Sequence, residues 1–291
     1  MKQLPVLGLD QFSIDDPKIE FYANALRHHL THHHTQVSVP HKHNFYLAVL
    51  FTAGSGTHEI DFTVYPVSRG SVFLLNPGQM HYWELSADAA GYIFFHSEPF
   101  YNLHFANQTI QGFPFFHSAR NPPDLQLTDS ELPEVERQFC QILMEHQSEN
   151  AYKHHKICSL VDSVYIDLAR LYLHAGQQIP VRTNTYAAKL KQLEQLIDAN
   201  YQTEKLPGKY ADWMHMSSKH LNRITQAGLG KTTSALILDR VMLEAKRLLV
   251  QSKDNLSQVS DALGYDDYAY FSRVFKKANG ETPSEFVKRY W

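Results

Sequence analysis

Two arginines fifty residues apart, Arg223 and Arg273, sit in segments built on one plan. KYADWMHMSSKHLNRITQAGLGKT and SQVSDALGYDDYAYFSRVFKKANGETP each read as a short helix, a turn and a second helix whose outer face is basic. In the second segment Val259, Ala262 and Leu263 face inward, and Gly264 supplies the positive φ that lets the chain leave its helix. Phe271, Val274 and Phe275 then turn inward, leaving Ala269, Ser272, Arg273 and Lys276 outward. In the first, Ala211, Met214 and Met216 precede the turn, Ser217 or Ser218 caps, and Leu221 and Ile224 point inward, with Lys219, Asn222 and Arg223 outward. A guanidinium fork matches guanine O6 and N7, an Asn amide can pair with adenine, and Lys mainly counters phosphate charge. One basic helical hairpin carries little weight, but two joined by a single continuous helix carry much more. A helix of about 18 to 20 residues spans roughly 27 to 30 Å, near the ~34 Å turn of B-DNA, so both units could enter successive major grooves.

The histidines are the second chemical feature. Sixteen of the 18 precede Asn184. His43, Phe45, Tyr46, Phe51, His58, His81, Trp83, Phe94 and His96 are the expected lining of a β-rich module, and aromatic walls with a few imidazoles suit a small polar organic ligand such as a sugar or an aromatic acid. The run His28, His29, His32, His33 and His34 reads as an exposed polar helix end.

These residues need positioning elements, and the hydrophobic period supplies them. From Gln36 to about Phe116, short apolar runs recur every ten residues or so with Gly, Pro or Asn between them, which fits an antiparallel barrel or jelly roll. Between Asp129 and Ala175 the period becomes helical. Leu132, Val135, Phe139, Ile142 and Leu143 mark one helix, while Ile157, Leu160, Val161, Val164, Tyr165, Leu168, Leu171 and Tyr172 mark a longer one, a hairpin expected to pair with a second copy of the chain. AGQQIPVRTNT reads as a linker, and everything after Thr185 as helix, ending in a capping box of Thr282, Pro283 and Glu285. Charge divides at the same place. Residues 1–184 carry 11 Lys+Arg against 18 Asp+Glu, a net −7, and the remaining 107 carry 16 against 12, a net +4, which suggests a polyanion partner for the basic half. The chain of 291 residues is 43% hydrophobic, enough for two cored domains, without the apolar run a membrane span needs. Met1 to Asp15 lacks the pattern of a signal peptide, so a cytoplasmic place with no membrane partner is expected. Cys140 and Cys158 read as ordinary buried thiols.

LNRI, ILDRVMLEAKRLL and VSDALGYDDYAYFSRVFKKANGETPSEF closely resemble the paired helix-turn-helix domain of AraC/XylS transcriptional regulators, over about the last hundred residues. The family's usual Phe-Lys after the first recognition Arg is replaced here by Ile224-Thr225-Gln226. By position, the resemblance implies base-edge readers at Lys219, Asn222 and Arg223, then at Tyr268, Ala269, Ser272 and Arg273, with Lys231, Lys276 and Lys277 on phosphates. HKHNFYLAVL and PGQMH resemble the cupin sensor domain of the same family, and the apolar arm of Leu4, Val6, Leu7 and Phe12 a segment that folds over it. An enzymatic cupin holds a metal with a His-x-His pair, a Glu and a further His. His41, His43 and His81 stand in such places, but Leu47 and Ala48 fill the window of the Glu, so no metal, cofactor or catalytic residue is assigned.

The expected fold is an α+β multidomain chain: an N-terminal cupin-like β-barrel with a helical hairpin, then a C-terminal all-α domain with two helix-turn-helix units. The expected divisions are residues 1–128 for the sensor domain with its arm, 129–176 for the hairpin, 177–186 for the linker and 187–291 for the DNA-binding domain. The implied function is a non-enzymatic, sequence-specific transcriptional regulator that binds double-stranded DNA and a small-molecule effector, acts as a homodimer and has RNA polymerase as a candidate partner. The alternative is a metal-dependent cupin enzyme fused to a nucleic-acid-binding domain.

Overall fold

The computed structural model describes residues 6–12, 19–32, 38–105, 109–117, 121–174, 184–251 and 255–289. Two units form, Pro5–Ile179 and Pro180–Trp291. The first contains β1 (Val6–Leu7), β2 (Phe21–Ala25), α1 (Leu26–His32), β3 (Lys42–His43), β4 (Tyr46–Ala53), β5 (Gly56–Ile60), β6 (Thr63–Val67), β7 (Ser71–Leu75), β8 (His81–Leu85), β9 (Ala90–His96), α2 (Glu98–Asn102), α3 (Pro114–His117), β10 (Asp124–Gln126), α4 (Leu132–Gln147) and α5 (Lys153–His174). The second contains α6 (Asn184–Asn200), α7 (Pro207–Trp213), α8 (Ser218–Leu229), α9 (Thr233–Gln251), α10 (Leu256–Ala262), α11 (Tyr268–Asn279) and α12 (Pro283–Lys288). Helix α6 begins before residue 187, and much of the expected linker lies outside the described residues, as do Leu4, His33 and His34.

The barrel is made of two antiparallel sheets, ordered β10-β7-β4-β9-β2 and β6-β5-β8. The short β1–β3 pair is parallel, with Leu7 opposite His43. Strand β4 is buried along both faces, because alternate residues feed two different cores. Leu47, Val49 and Phe51 join Phe12, Phe45, Phe73, Trp83 and Phe95 between the sheets. Tyr46, Ala48 and Leu50 join Phe94, Phe139, Val161 and Tyr165 beneath the helical hairpin. Most of the apolar stripe on α5 is therefore engaged with the sheet, and only Leu160 and Leu171 of that set are partly exposed. Strand β2 escaped the sequence reading because it is five residues long and runs into α1 without a turn residue between them.

In the helical unit, α9 is 19 residues long and leads from one helix-turn-helix pair, α7–α8, to the other, α10–α11. Helix α6 braces it: Arg240 donates from Nε to Asp198 Oδ1 at 2.7 Å and lies over the Tyr201 ring at 4.1 Å. Ser217 caps α8 by accepting from the His220 N–H, and Asp267 caps α11 by accepting from the Ala269 N–H at 2.6 Å. Thr282 and Glu285 complete the expected capping box of α12. The turn of the second pair rests on Gly264, at φ +69°, where an added Cβ would come within 2.0 Å of the Gln202 carbonyl oxygen. The first pair turns through His215 at φ +52°, a left-handed residue in the equivalent place.

Replacing Gly264 by Ala combines a disfavoured φ with a backbone clash. Denaturant unfolding of Gly264→Ala is expected to show a loss of about 1–3 kcal/mol, whereas an Ala at Gly230, whose added Cβ meets nothing within 4 Å, bears the φ penalty alone and loses less.

Candidate functional site

The outer faces of α8 and α11 carry the expected DNA contacts, except Lys231, which lies in the connection between α8 and α9. Lys219, Arg223, Lys231, Ala269, Arg273, Lys276 and Lys277 are all exposed, while Asn222, Tyr268 and Ser272 are half-buried. They are presented by buried anchors on the same helices: Leu221 and Ile224 on α8, Phe271 and Phe275 on α11. Phe271 meets Phe275 at 5.9 Å, and Phe275 meets Phe286 of α12 edge-on at 5.7 Å, so the rotation of α11 about its axis is set by three rings. Arg273 makes no ion pair among the described residues. Arg223 donates from Nη2 to His220 Nδ1 at 3.1 Å.

Two of the expected DNA contacts already have partners within the protein. Asn222 accepts the Thr233 backbone N–H on its Oδ1 at 3.1 Å, which ties α8 to the first residue of α9. A two-pronged pair with adenine uses that same oxygen, so Asn222 would share its two lone pairs between the Thr233 N–H and the base. Lys231 pairs with Asp239 at 2.8 Å on the surface, an interaction weak enough to exchange for a phosphate.

The expected barrel lining divides between the two faces of the sheet. His43, Phe45, Phe51, His58, His81 and Trp83 do come together between the sheets. Phe45 stacks on His43 at 4.6 Å, and the His81 ring lies 5.1 Å from both His58 and Trp83. Tyr46, Phe94 and His96 do not join them. In the β4–β9 register Tyr46 stands opposite His96 and Ala48 opposite Phe94, and all of these point into the helical side, so none can touch an effector in the barrel. There His96 faces the Tyr165 hydroxyl at 2.8 Å and stacks on Tyr46 at 5.4 Å. His29 also departs from expectation. It is fully buried beside the Tyr22 hydroxyl at 3.0 Å, while His28 and His32 are exposed. An apolar ledge made by Phe12 and Phe95 receives it, which its neighbours in the sequence gave no sign of.

Inside the barrel the imidazoles form a chain. His58 Nε2 lies 2.8 Å from His81 Nδ1, and His81 Nε2 lies 2.5 Å from His43 Nε2. His41 donates from Nδ1 to the Val39 carbonyl at 2.8 Å. One nitrogen each of His41, His43 and His81 falls within 4.8 Å of the others, a spacing that three ligands of a metal ion could share. Leu47 and Ala48, where an acid would complete such a set, are both buried in apolar cores. At one end of the barrel a cavity of about 570 Å³ is lined by Arg27, Leu30, Thr31, Ser38, Trp83, Glu84 and Ser86 among others. Arg27 and Trp83 give it one cation and one broad ring, and the sequence reading had not placed Arg27 here. No helix among the described residues is long and apolar enough to cross a membrane.

Residues 24–156 match the AraC-like ligand binding domain family, and residues 210–289 match a helix-turn-helix domain family. The chain is 23% identical to the arabinose operon regulatory protein of Salmonella typhimurium, covering 83% of each. It is 22% identical to the HTH-type transcriptional activator RhaR of Mannheimia succiniciproducens, covering 88% of this chain and 90% of that one. Among solved structures, ToxT from Vibrio cholerae aligns over 93% of this chain and 98% of its own, at 13% identity and a TM-score of 0.45.

Burial favours the neutral form of three histidines in the barrel unit, His96, His58 and His41. It pulls His96 down to about 4 against the opposing Ser97 carbonyl, takes His58 well below its ordinary value, aided by the fields of His41 and His43, and lowers His41. The unfolded chain binds protons at these rings near pH 6.5 and the folded chain does not, so stability that is complete above that pH is lost as pH falls. Unfolding free energy is expected to drop between pH 7 and pH 4 by up to about 1.4 kcal/mol per pH unit for each such ring, read as a falling thermal midpoint, and less steeply in His96→Gln.

Proposed function

Since the chain belongs to the AraC family of transcriptional regulators, with one domain that binds DNA and one that binds an effector, we propose how its residues divide that work. Sequence is read chiefly by α11, with Arg273 on a guanine and Ser272, Ala269 and Tyr268 beside it, while Lys276 and Lys277 hold phosphates. Helix α8 adds Arg223 and Lys219, Lys231 adds a phosphate contact, and Asn222 acts by fastening α8 to α9. The observation that carries this reading is the pair of exposed arginines on matching helices joined by a 19-residue helix, whose length of about 28 Å approaches the pitch of B-DNA.

The effector is a sugar or an aromatic acid that enters the cavity beside Trp83, with Arg27 pairing its carboxylate or hydroxyls; a volume of about 570 Å³ suits a molecule of that size. The His43–His81–His58 chain and Phe45 lie between the sheets, and the ring of Trp83, 5.1 Å from that of His81, connects them to the cavity wall. Two copies associate through α5, where Leu160 and Leu171 lie on one side of the helix and remain partly exposed. The dimer works on DNA in the cytoplasm, and its output passes through RNA polymerase. Effector binding alters transcription only by favouring one arrangement of the units over another.

Gel-shift titration on DNA from the chain's own upstream region tests the first part. Arg273→Ala should weaken specific binding by roughly 5- to 150-fold, while Lys276→Ala weakens all sequences evenly and lowers the salt slope by about one; unchanged affinity in Arg273→Ala overturns the assignment. For the second part, a sugar or aromatic acid that raises the thermal midpoint of the parent should fail to do so in Arg27→Ala, and a retained shift would place the effector elsewhere.

A further inference from the structure

A second cluster of metal-ligating side chains lies outside the barrel, where the end of α2 meets the first turns of α5. His154 and Cys158 stand four residues apart on α5, on one face a single turn apart, with Cys158 Sγ 3.8 Å from His154 Nδ1. His104, two residues beyond α2, faces them, and one ligand atom from each of the three falls within 4.8 Å of the others. Cys158 is buried, His104 half-buried and His154 exposed, so a thiol floor lies below two imidazole walls that solvent reaches.

We infer that His104, His154 and Cys158 bind a divalent ion of the zinc class through one thiolate and two imidazoles. Bonds of about 2.3 Å to sulfur and 2.0–2.1 Å to nitrogen, at a tetrahedral angle, set S and N about 3.6 Å apart. The observed 3.8 Å between Cys158 and His154 is already close to that distance. Helical spacing fixes this pair, and the rest of the site is held in place around it. The Phe100 ring meets His154 edge-on at 5.2 Å, and the Phe100 carbonyl lies 3.9 Å from Cys158 Sγ. The backbone of His104 is anchored by its N–H to the Tyr101 carbonyl at 3.1 Å, which leaves its ring to swing inward by about 1 Å. As the ion binds, the Cys158 thiol gives its proton to solvent and the thiolate takes the ion; water fills the fourth position. Mixed sulfur and imidazole ligands select zinc, cobalt or copper over magnesium and calcium. The bound ion ties the turn after α2 to the hairpin helix that covers the sheet.

This inference is independent of the effector reading, and cobalt separates the two histidine clusters, because only a thiolate gives a near-ultraviolet sulfur-to-cobalt charge-transfer band. The full chain, without an affinity tag and kept reduced by a non-thiol reductant, is titrated with Co²⁺. One equivalent should produce the band, and Zn²⁺ should remove it. The band should be absent in Cys158→Ser and in His154→Gln, whose exposed side chain can be changed without disturbing the core, and should persist in Cys140→Ser and His41→Gln. No band at saturating Co²⁺, a band that survives His154→Gln, or one lost with Cys140 overturns the proposal.

Discussion

The barrel unit depends on one constraint: the strands β4 and β9 are buried on both faces. A sheet that faces water on one side leaves half of its side chains free to vary. Here alternate residues of the same strand serve two cores about one sheet thickness apart, with Val49 and Ile93 inside the barrel and Leu50 and Phe94 under the hairpin. A one-residue slip would exchange the two sets and place His96 and Tyr46 among the barrel aromatics. Register is thus specified twice, and a shift of a ring in the barrel is felt by the side chains that seat α4 and α5. Phe95 lines the interior while its neighbour His96 holds Tyr165 of α5, so two adjacent residues join the barrel core to the hairpin.

That double burial also limited what the sequence could disclose. FYLAVLFTA announced a strand buried on both sides, and the rhythm of Gly, Pro and Asn announced the antiparallel barrel, because both are local patterns of apolarity and turn chemistry. Which alternate set faced inward was not a local property. Both sets of β4 are apolar, so Tyr46, Phe94 and His96 read as lining until the hairpin was placed over them. The same gap explains Arg27 and His29, which acquire their roles from the Ser86–Ala89 turn and from Phe12, remote in sequence. By contrast Gly264, Thr282, Pro283, Glu285 and the length of α9 were legible, since a φ constraint, a capping box and a 3.6-residue period are written within a few residues of one another.

Charge places a further condition on the chain. The net −7 of residues 1–184 repels DNA while the net +4 of the remainder attracts it, so the field favours approach by the helical part. Its strength falls over a Debye length of about 8 Å at physiological salt, which makes close contact by Arg and Lys tips, rather than the overall field, the source of affinity. Arg273 is exposed and without an ion pair among the described residues, so a contact made by its guanidinium would break no internal ion pair. Lys231 must first release Asp239.

The two helix-turn-helix units share a plan but are held by different means. Helix α11 is oriented by the rings of Phe271, Phe275 and Phe286, which leaves every polar side chain on its outer face available. Helix α8 is fastened instead by polar clasps to the start of α9: Asn222 Oδ1 accepts from Thr233 N–H, and the Thr225 and Thr233 hydroxyls lie 3.3 Å apart in a buried pocket. Ile224-Thr225-Gln226, where the family usually has Phe-Lys, is the local sequence that makes this arrangement work, because Thr225 is small enough to be buried there and polar enough to bond. Helix α8 is thereby held to one orientation by Asn222 and Thr225, where α11 relies on apolar rings.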